Sequence, residues 1–122
     1  MVEFALCFLL VFSVVYSVIE FGRFVFVYNT LAGATREAAR YAIVHGSKSG
    51  SIATPADIRA QVTRWTIGLD PASLTVNTTW VPANTPGSLV RIQTSYNFSP
   101  MAGLVLHNPL TIGSRSEMVM SQ

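Results

Sequence analysis

The chain has 122 residues, half of them hydrophobic and only 11% charged, with a formal net charge of +2. That length fits one compact domain, or a small head carried on one long helix. The charge is too small, and the eight Lys and Arg too scattered, for a nucleic-acid surface. A single cysteine, Cys7, excludes an internal disulfide.

Residues 4–19, FALCFLLVFSVVYSVI, hold no charge, no glycine and no proline. The run approaches the ~20 residues that cross a bilayer as a helix. Its Phe, Tyr and Leu surround the whole circumference instead of forming one stripe. A helix that is apolar on all sides must be buried on all sides, in lipid or in an assembly. Cys7 reads as a small hydrophobe within it. A secretory signal would want a positive start and a small-residue cleavage site. Here Glu3 stands at the start, no Lys or Arg precedes the run, and nothing like A-x-A follows. The segment is expected to stay in the mature protein.

The helical pattern continues to about His45. Val27, Leu31, Ala34, Ala38, Tyr41 and Ala42 keep an apolar face at helical spacing. Arg36, Glu37 and Arg40 fall elsewhere, as on a solvated face. Gly46 is the predicted stop. A helix over residues 3–45 is roughly 65 Å long at ~1.5 Å per residue. Gly22 and Gly33 each weaken it by up to ~1 kcal/mol relative to Ala, and close helix–helix approach is the expected reason for both.

Glu3 needs a partner, because a carboxylate in an apolar surrounding is costly unless paired or protonated. An acid in the first turn also favours the helix by roughly 0.3–1 kcal/mol. The flanking residues offer no cation, so the expected partner is a positive group on another chain, such as a free α-amino terminus. Glu20 and Arg23 stand at i, i+3 at the far edge of the apolar run. They read equally as an intrahelical pair at a membrane interface or as contacts to neighbouring subunits. The residues expected to carry subunit assembly are Glu3, Phe4, Phe8, Val11, Tyr16, Glu20, Arg23 and Tyr28.

Residues 1–46 thus form a transmembrane or assembly helix, and residues 47–122 a head. Thr54-Pro55-Ala56-Asp57 reads as a helix start. Ile58, Val62, Trp65 and Leu69 give that helix one apolar face, with Trp65 expected as a core anchor and Gly68 as the stop. Three alternating runs follow: Ser73 to Val81, Ser88 to Phe98 and Leu110 to Met120. The expected fold class is α+β, a long hydrophobic N-terminal helix with a head of one helix and a three-stranded antiparallel sheet. So small a head has a marginal core, and the long helix is expected to cover the sheet. Met101, Leu104, Val105 and Leu106 are expected to pack on the core or on an adjacent subunit.

No motif carries catalysis. His45 and His107 have no Cys, Asp or Glu at ligand spacing, so no metal site is expected. There is no G-x-S-x-G, H-E-x-x-H or P-loop, and the dispersed acids pair nowhere for proton transfer. The chain is read as not an enzyme and as needing no cofactor. A membrane-tethered hydrolase or receptor finds no support. Asn77-Thr78-Thr79 matches a glycosylation triplet of low specificity.

Three groups of residues, in this order and spacing, resemble a known family. They are Met1-Val2-Glu3-Phe4-Ala5-Leu6, Ile19-Glu20-Phe21-Gly22-Arg23 and Ala38-Ala39-Arg40-Tyr41-Ala42. The chain resembles the TadE-like pilins and pseudopilins of tight-adherence secretion systems over residues 1–46, and its tail from Pro109 is weakly similar to the family's last strand. The resemblance implies a short basic leader cut by a prepilin peptidase, insertion in the inner membrane, and extraction by assembly machinery into a pilus or pseudopilus. It implies that Glu3 matches the family's glutamate near the mature N-terminus, thought to assist assembly. The sequence departs from the family in showing no leader and no leader glycine. Arg23, Arg36 and Arg40 alone would place the head in the cytoplasm, and a basic leader would reverse that. The expected function is a structural subunit of an extracellular helical homopolymer, with a minor pseudopilin or single-pass component that primes or anchors the pilus as the alternative.

Overall fold

The computed structural model describes residues 1–100 and 108–121. Helix α1 runs Val2–Val44 and helix α2 Pro55–Trp65. A short 3-10 turn, Pro71–Ser73, leads into strands β1 (Leu74–Val81), β2 (Leu89–Phe98) and β3 (Leu110–Val119). The fold is α+β, as the residue pattern predicts. The expectation for Met101, Leu104, Val105 and Leu106 lies outside the described residues, as does His107.

The three strands form an antiparallel sheet in the order β1-β2-β3. Trp80 pairs with Val90, Leu74 with Tyr96, and Thr94 with Ser114. This register puts Val90, Ile92, Thr94 and Phe98 of β2 on one face with Leu74 and Ile112 of its neighbours, all buried. The second half of α1 covers β2 and β3, and α2 lies beside α1 over the β1 side. The core is therefore two layers, helices on one face of a sheet. Leu31, Ala34, Ala38, Ala39 and Ala42 fill the helix side of it. The run of alanines lets α1 lie close to the strands.

The helix α2 begins as its residues predict. The Thr54 side chain accepts from the Asp57 N–H, and the Asp57 carboxylate accepts from the Thr54 N–H at 2.9 Å. These reciprocal bonds satisfy two otherwise orphan donors. The helix ends at Trp65, so Leu69 falls in the following loop. Trp65 is not a core anchor. It is 52% exposed at the last position of α2, where it lines an open cleft with Asn29, Thr30 and Gly33 of α1. Helix α1 passes through Gly22 and Gly33 unbroken, and a Cβ at either would meet nothing within 4 Å. The close approach expected at these glycines is not made within the chain.

One polar pair sits inside the core. The Thr35 and Thr94 hydroxyls are 2.7 Å apart, and Thr35 also donates to the Leu31 carbonyl at 2.7 Å. This bond ties the middle of α1 to the middle of β2. Losing one partner of a buried hydrogen bond costs about 1–3 kcal/mol, whereas replacing both by similar apolar groups is nearly neutral. Thr35→Val and Thr94→Val should each destabilise the head, and the double variant by less than their sum. Urea midpoints of the four proteins check this, and strict additivity would show that the pair is not coupled.

On the solvent face Arg91 lies opposite Glu117 in register. Its Nε reaches the carboxylate at 2.6 Å, and Arg115 binds the same oxygen. The Arg115 and Arg91 guanidiniums hold the Glu117 carboxyl below its ordinary value of 4.5. A carboxyl lowered by folding adds stability above its unfolded value, and that stability is lost as pH falls through the folded value. The head should therefore weaken as pH drops below about 4.5, and Glu117→Gln should weaken less over the same acid range. Equal acid dependence of the two urea midpoints would exclude the contribution.

Candidate functional site

The first half of α1 leaves the head and touches little of it. Val27 is the first buried residue along the chain. Residues 2–26 form a stem about 37 Å long at ~1.5 Å per residue, enough for the ~30 Å hydrocarbon core of a bilayer. Its most apolar stretch is wholly unburied, and by length and composition α1 can cross a membrane. Phe4 is 78% exposed and Phe8 63%. Val11 and Tyr28 are exposed in the same way, and Tyr16 partly so.

The stem's few polar groups are adapted to an apolar surrounding. Ser13 donates to the Leu9 carbonyl and Ser17 to the Ser13 carbonyl, each at 2.8 Å. Both hydroxyls are thereby satisfied within the helix, as a lipid or protein environment demands. Phe8 and Phe12 stack at 6.2 Å between centroids. Two groups are exceptions, the Tyr16 hydroxyl, which has no hydrogen-bond partner among the described residues, and Glu3. Glu3 lies exposed in the first turn, and among the described residues it makes no ion pair and no side-chain hydrogen bond.

The stem meets the head at Arg23. Its Nη1 lies 3.1 and 3.2 Å from the two Glu20 carboxylate oxygens. Its guanidinium sits 5.2 Å over the Phe98 ring, and Phe24 meets that ring edge-on at 6.0 Å. Within one chain, then, Glu20 and Arg23 form the intrahelical pair. A cation over an aromatic face adds about 0.5–2 kcal/mol, so Arg23 also fixes the end of β2 against the top of the stem. Arg23, Phe26, Gly68, Asp70, Tyr96 and Phe98 line an open cleft at this junction.

Of the expected assembly residues, only Glu20 and Arg23 come together. Glu3, Phe4, Phe8, Val11, Tyr16 and Tyr28 are strung along the stem, as residues of an elongated surface would be. Sequence reading missed Phe24 and Phe98 at the junction. Phe98 shows only as the last inward position of a strand, and its contact with Arg23 spans 75 positions of chain. Nothing local signals it. Among the described residues no group of three or more His, Cys, Asp or Glu could hold a metal ion.

The family model described as TadE-like protein matches residues 1–40. The match takes in the stem and most of the part of α1 that enters the head, and it agrees with the resemblance carried by the Glu3 and Glu20–Arg23 segments and by Ala38-Ala39-Arg40. No curated protein and no solved structure matches the chain.

Proposed function

We propose, from a TadE-like N-terminal segment and a stem that the chain's own head leaves bare, that this protein is the structural subunit of a pilus-like helical filament. The observation that carries this reading is the contrast along one helix. From Val27 onward α1 is a core element, while residues 4–19 are apolar all round and none of them is buried. An all-apolar surface of that length needs lipid or like surfaces around it. A filament of identical subunits supplies the second, with stems packed centrally and heads outside. The inner membrane supplies the first before assembly, and the filament reaches the cell surface afterwards. Prepilin peptidase and a pilus assembly machinery are the partners this reading implies.

Glu3 fits the same scheme. With no partner among the described residues, it can pair with a cation of a neighbour, such as a processed α-amino terminus, and so set the axial register of packed stems. Phe4, Phe8, Val11, Tyr16 and Tyr28 supply the apolar contacts along the stem. Arg23→Ala separates two roles for the junction. The intrahelical pair and the Phe98 contact predict that the variant still inserts and still forms filaments. Normal insertion with no filaments would assign Arg23 to contacts between subunits.

Electron cryo-microscopy of material sheared from cells tests the proposal. A helical fibre with one copy of this chain per repeat and its stem at the core is the expected result. Finding the chain only in membranes, or at a few copies per fibre, would overturn the main-subunit reading in favour of a minor pseudopilin or anchor.

A further inference from the structure

The end of the head that faces the stem carries apolar side chains that its core does not use. The helix α2 runs back along α1 and ends at Trp65, and the chain then turns through residues 66–69. Gly68 adopts φ +87° in this turn, a conformation that favours glycine, and a Cβ there would sit 3.9 Å from the Phe26 ring. Ile67 beside it is 78% exposed, more than any other large apolar side chain of the described head. Phe26 is 53% exposed. Ile19, seven residues before Phe26 and so on the same side of α1, is also exposed and continues this apolar surface down onto the stem. The nearby acid, Asp70, turns its carboxylate back to accept from the Ala72 N–H at 3.1 Å.

The axial level of this patch identifies what covers it. If residues 2–21 fill a hydrocarbon core of ~30 Å, Phe26 stands about 7 Å beyond its edge. The polar headgroup layer extends roughly 5–8 Å from that edge on each side. Arg23 lies between, held by Glu20 and Phe98, where an arginine beside the core reaches headgroups. Ile67 is held at the level of Phe26 by the Gly68 contact. Its side chain therefore meets the same layer, and the patch is one surface with the spanning stem.

We propose that in the membrane-inserted form the turn through residues 66–69 rests in the lipid headgroup layer, with Ile67 and Phe26 as its apolar contacts, so that the head sits down on the bilayer. This inference rests on residues 2–21 being a membrane span. The occupant of the patch before assembly is thus a lipid surface, and assembly must lift the turn off it.

The test uses the full chain in phosphatidylcholine–phosphatidylglycerol vesicles at high lipid excess. An environment-sensitive fluorophore is attached to the native Cys7 in one sample. In two others it is attached at position 67 or 47, through Ile67→Cys or Ser47→Cys in a Cys7→Ala background. Ser47 is exposed in the loop at the opposite end of the head. Quenchers are carried on lipid headgroups or deep in the acyl chains. The expected result is deep quenching at position 7, headgroup-level quenching and a blue shift at position 67, and water-like emission at position 47. Emission at position 67 matching position 47 would overturn the inference while leaving the span intact. A blue shift at position 67 that vanishes on dilution with lipid would overturn it in favour of a second copy of the chain. Failure of deep quenching at position 7 would remove the span itself, and the inference with it.

Discussion

Glu3→Gln and Glu3→Ala should cut filament yield by an order of magnitude or more while leaving the head folded and the chain inserted in the membrane. Glu3 is an exposed carboxylate at the tip of an apolar stem with no side-chain partner in its own chain among the described residues. Burial of such a group among packed stems is tolerable only with a compensating cation. Glutamine keeps the size and the hydrogen-bonding capacity and removes the charge, so its failure isolates the electrostatic requirement. Alanine removes both. The measurement is sheared-filament yield beside total membrane-bound chain. Normal yield from both variants would remove Glu3 from assembly. The head should be indifferent, because the first buried residue of α1 lies at Val27, many turns away.

Leu31→Ala should do the reverse and loosen the head without touching the stem. Leu31 is fully buried at the centre of the helix–sheet contact. Truncating a buried leucine costs about 2–5 kcal/mol, the lost transfer energy plus the cavity. Small domains have only about 5–15 kcal/mol in total, so this is a large share, equivalent to about 4–8 °C of melting temperature for each kcal/mol. Alanine is the best helix former, so α1 itself should persist. The expected result is a lowered urea midpoint by tryptophan fluorescence, with helical circular dichroism largely kept before the transition. Val14→Ala, on the exposed stem, serves as the control and should leave the head's midpoint unchanged. A loss below about 1 kcal/mol at position 31 would mean that α1 is not the principal cover of the sheet.

Where periodicity has one interpretation, the sequence is legible. The all-apolar run over residues 4–19 and the one-faced spacing from Val27 to Ala42 predict one long helix over residues 3–45, and it spans Val2–Val44, because no proline interrupts it. The strand faces are equally clear. Val90, Ile92, Thr94 and Phe98 alternate with polar residues and point inward as a set, since a shift of one position would expose all of them. Trp65 departs from its expected role because spacing on a helix assigns a face and not a depth. The residue stands at the last position of α2, half exposed. The Arg23–Phe98 contact is invisible in the sequence because it depends on where a strand ends in space. Glu20 and Arg23 are recognisable as a pair, yet spacing alone leaves open whether they serve one chain or two.

A single rod that is half stem and half core has a mechanical consequence. In the proposed filament no flexible linker would separate the spine from what it displays, so a load on the spine would enter each head through the backbone of α1. The helix's own hydrogen bonds carry that tension in series. The sheet can be lost only by peeling β2 and β3 away from the alanine-rich face, across the Thr35–Thr94 bond and the Phe98–Arg23 clasp. Such heads would follow every twist and stretch of the fibre without swinging. Surfaces that the filament presents would then keep a fixed orientation and spacing under strain.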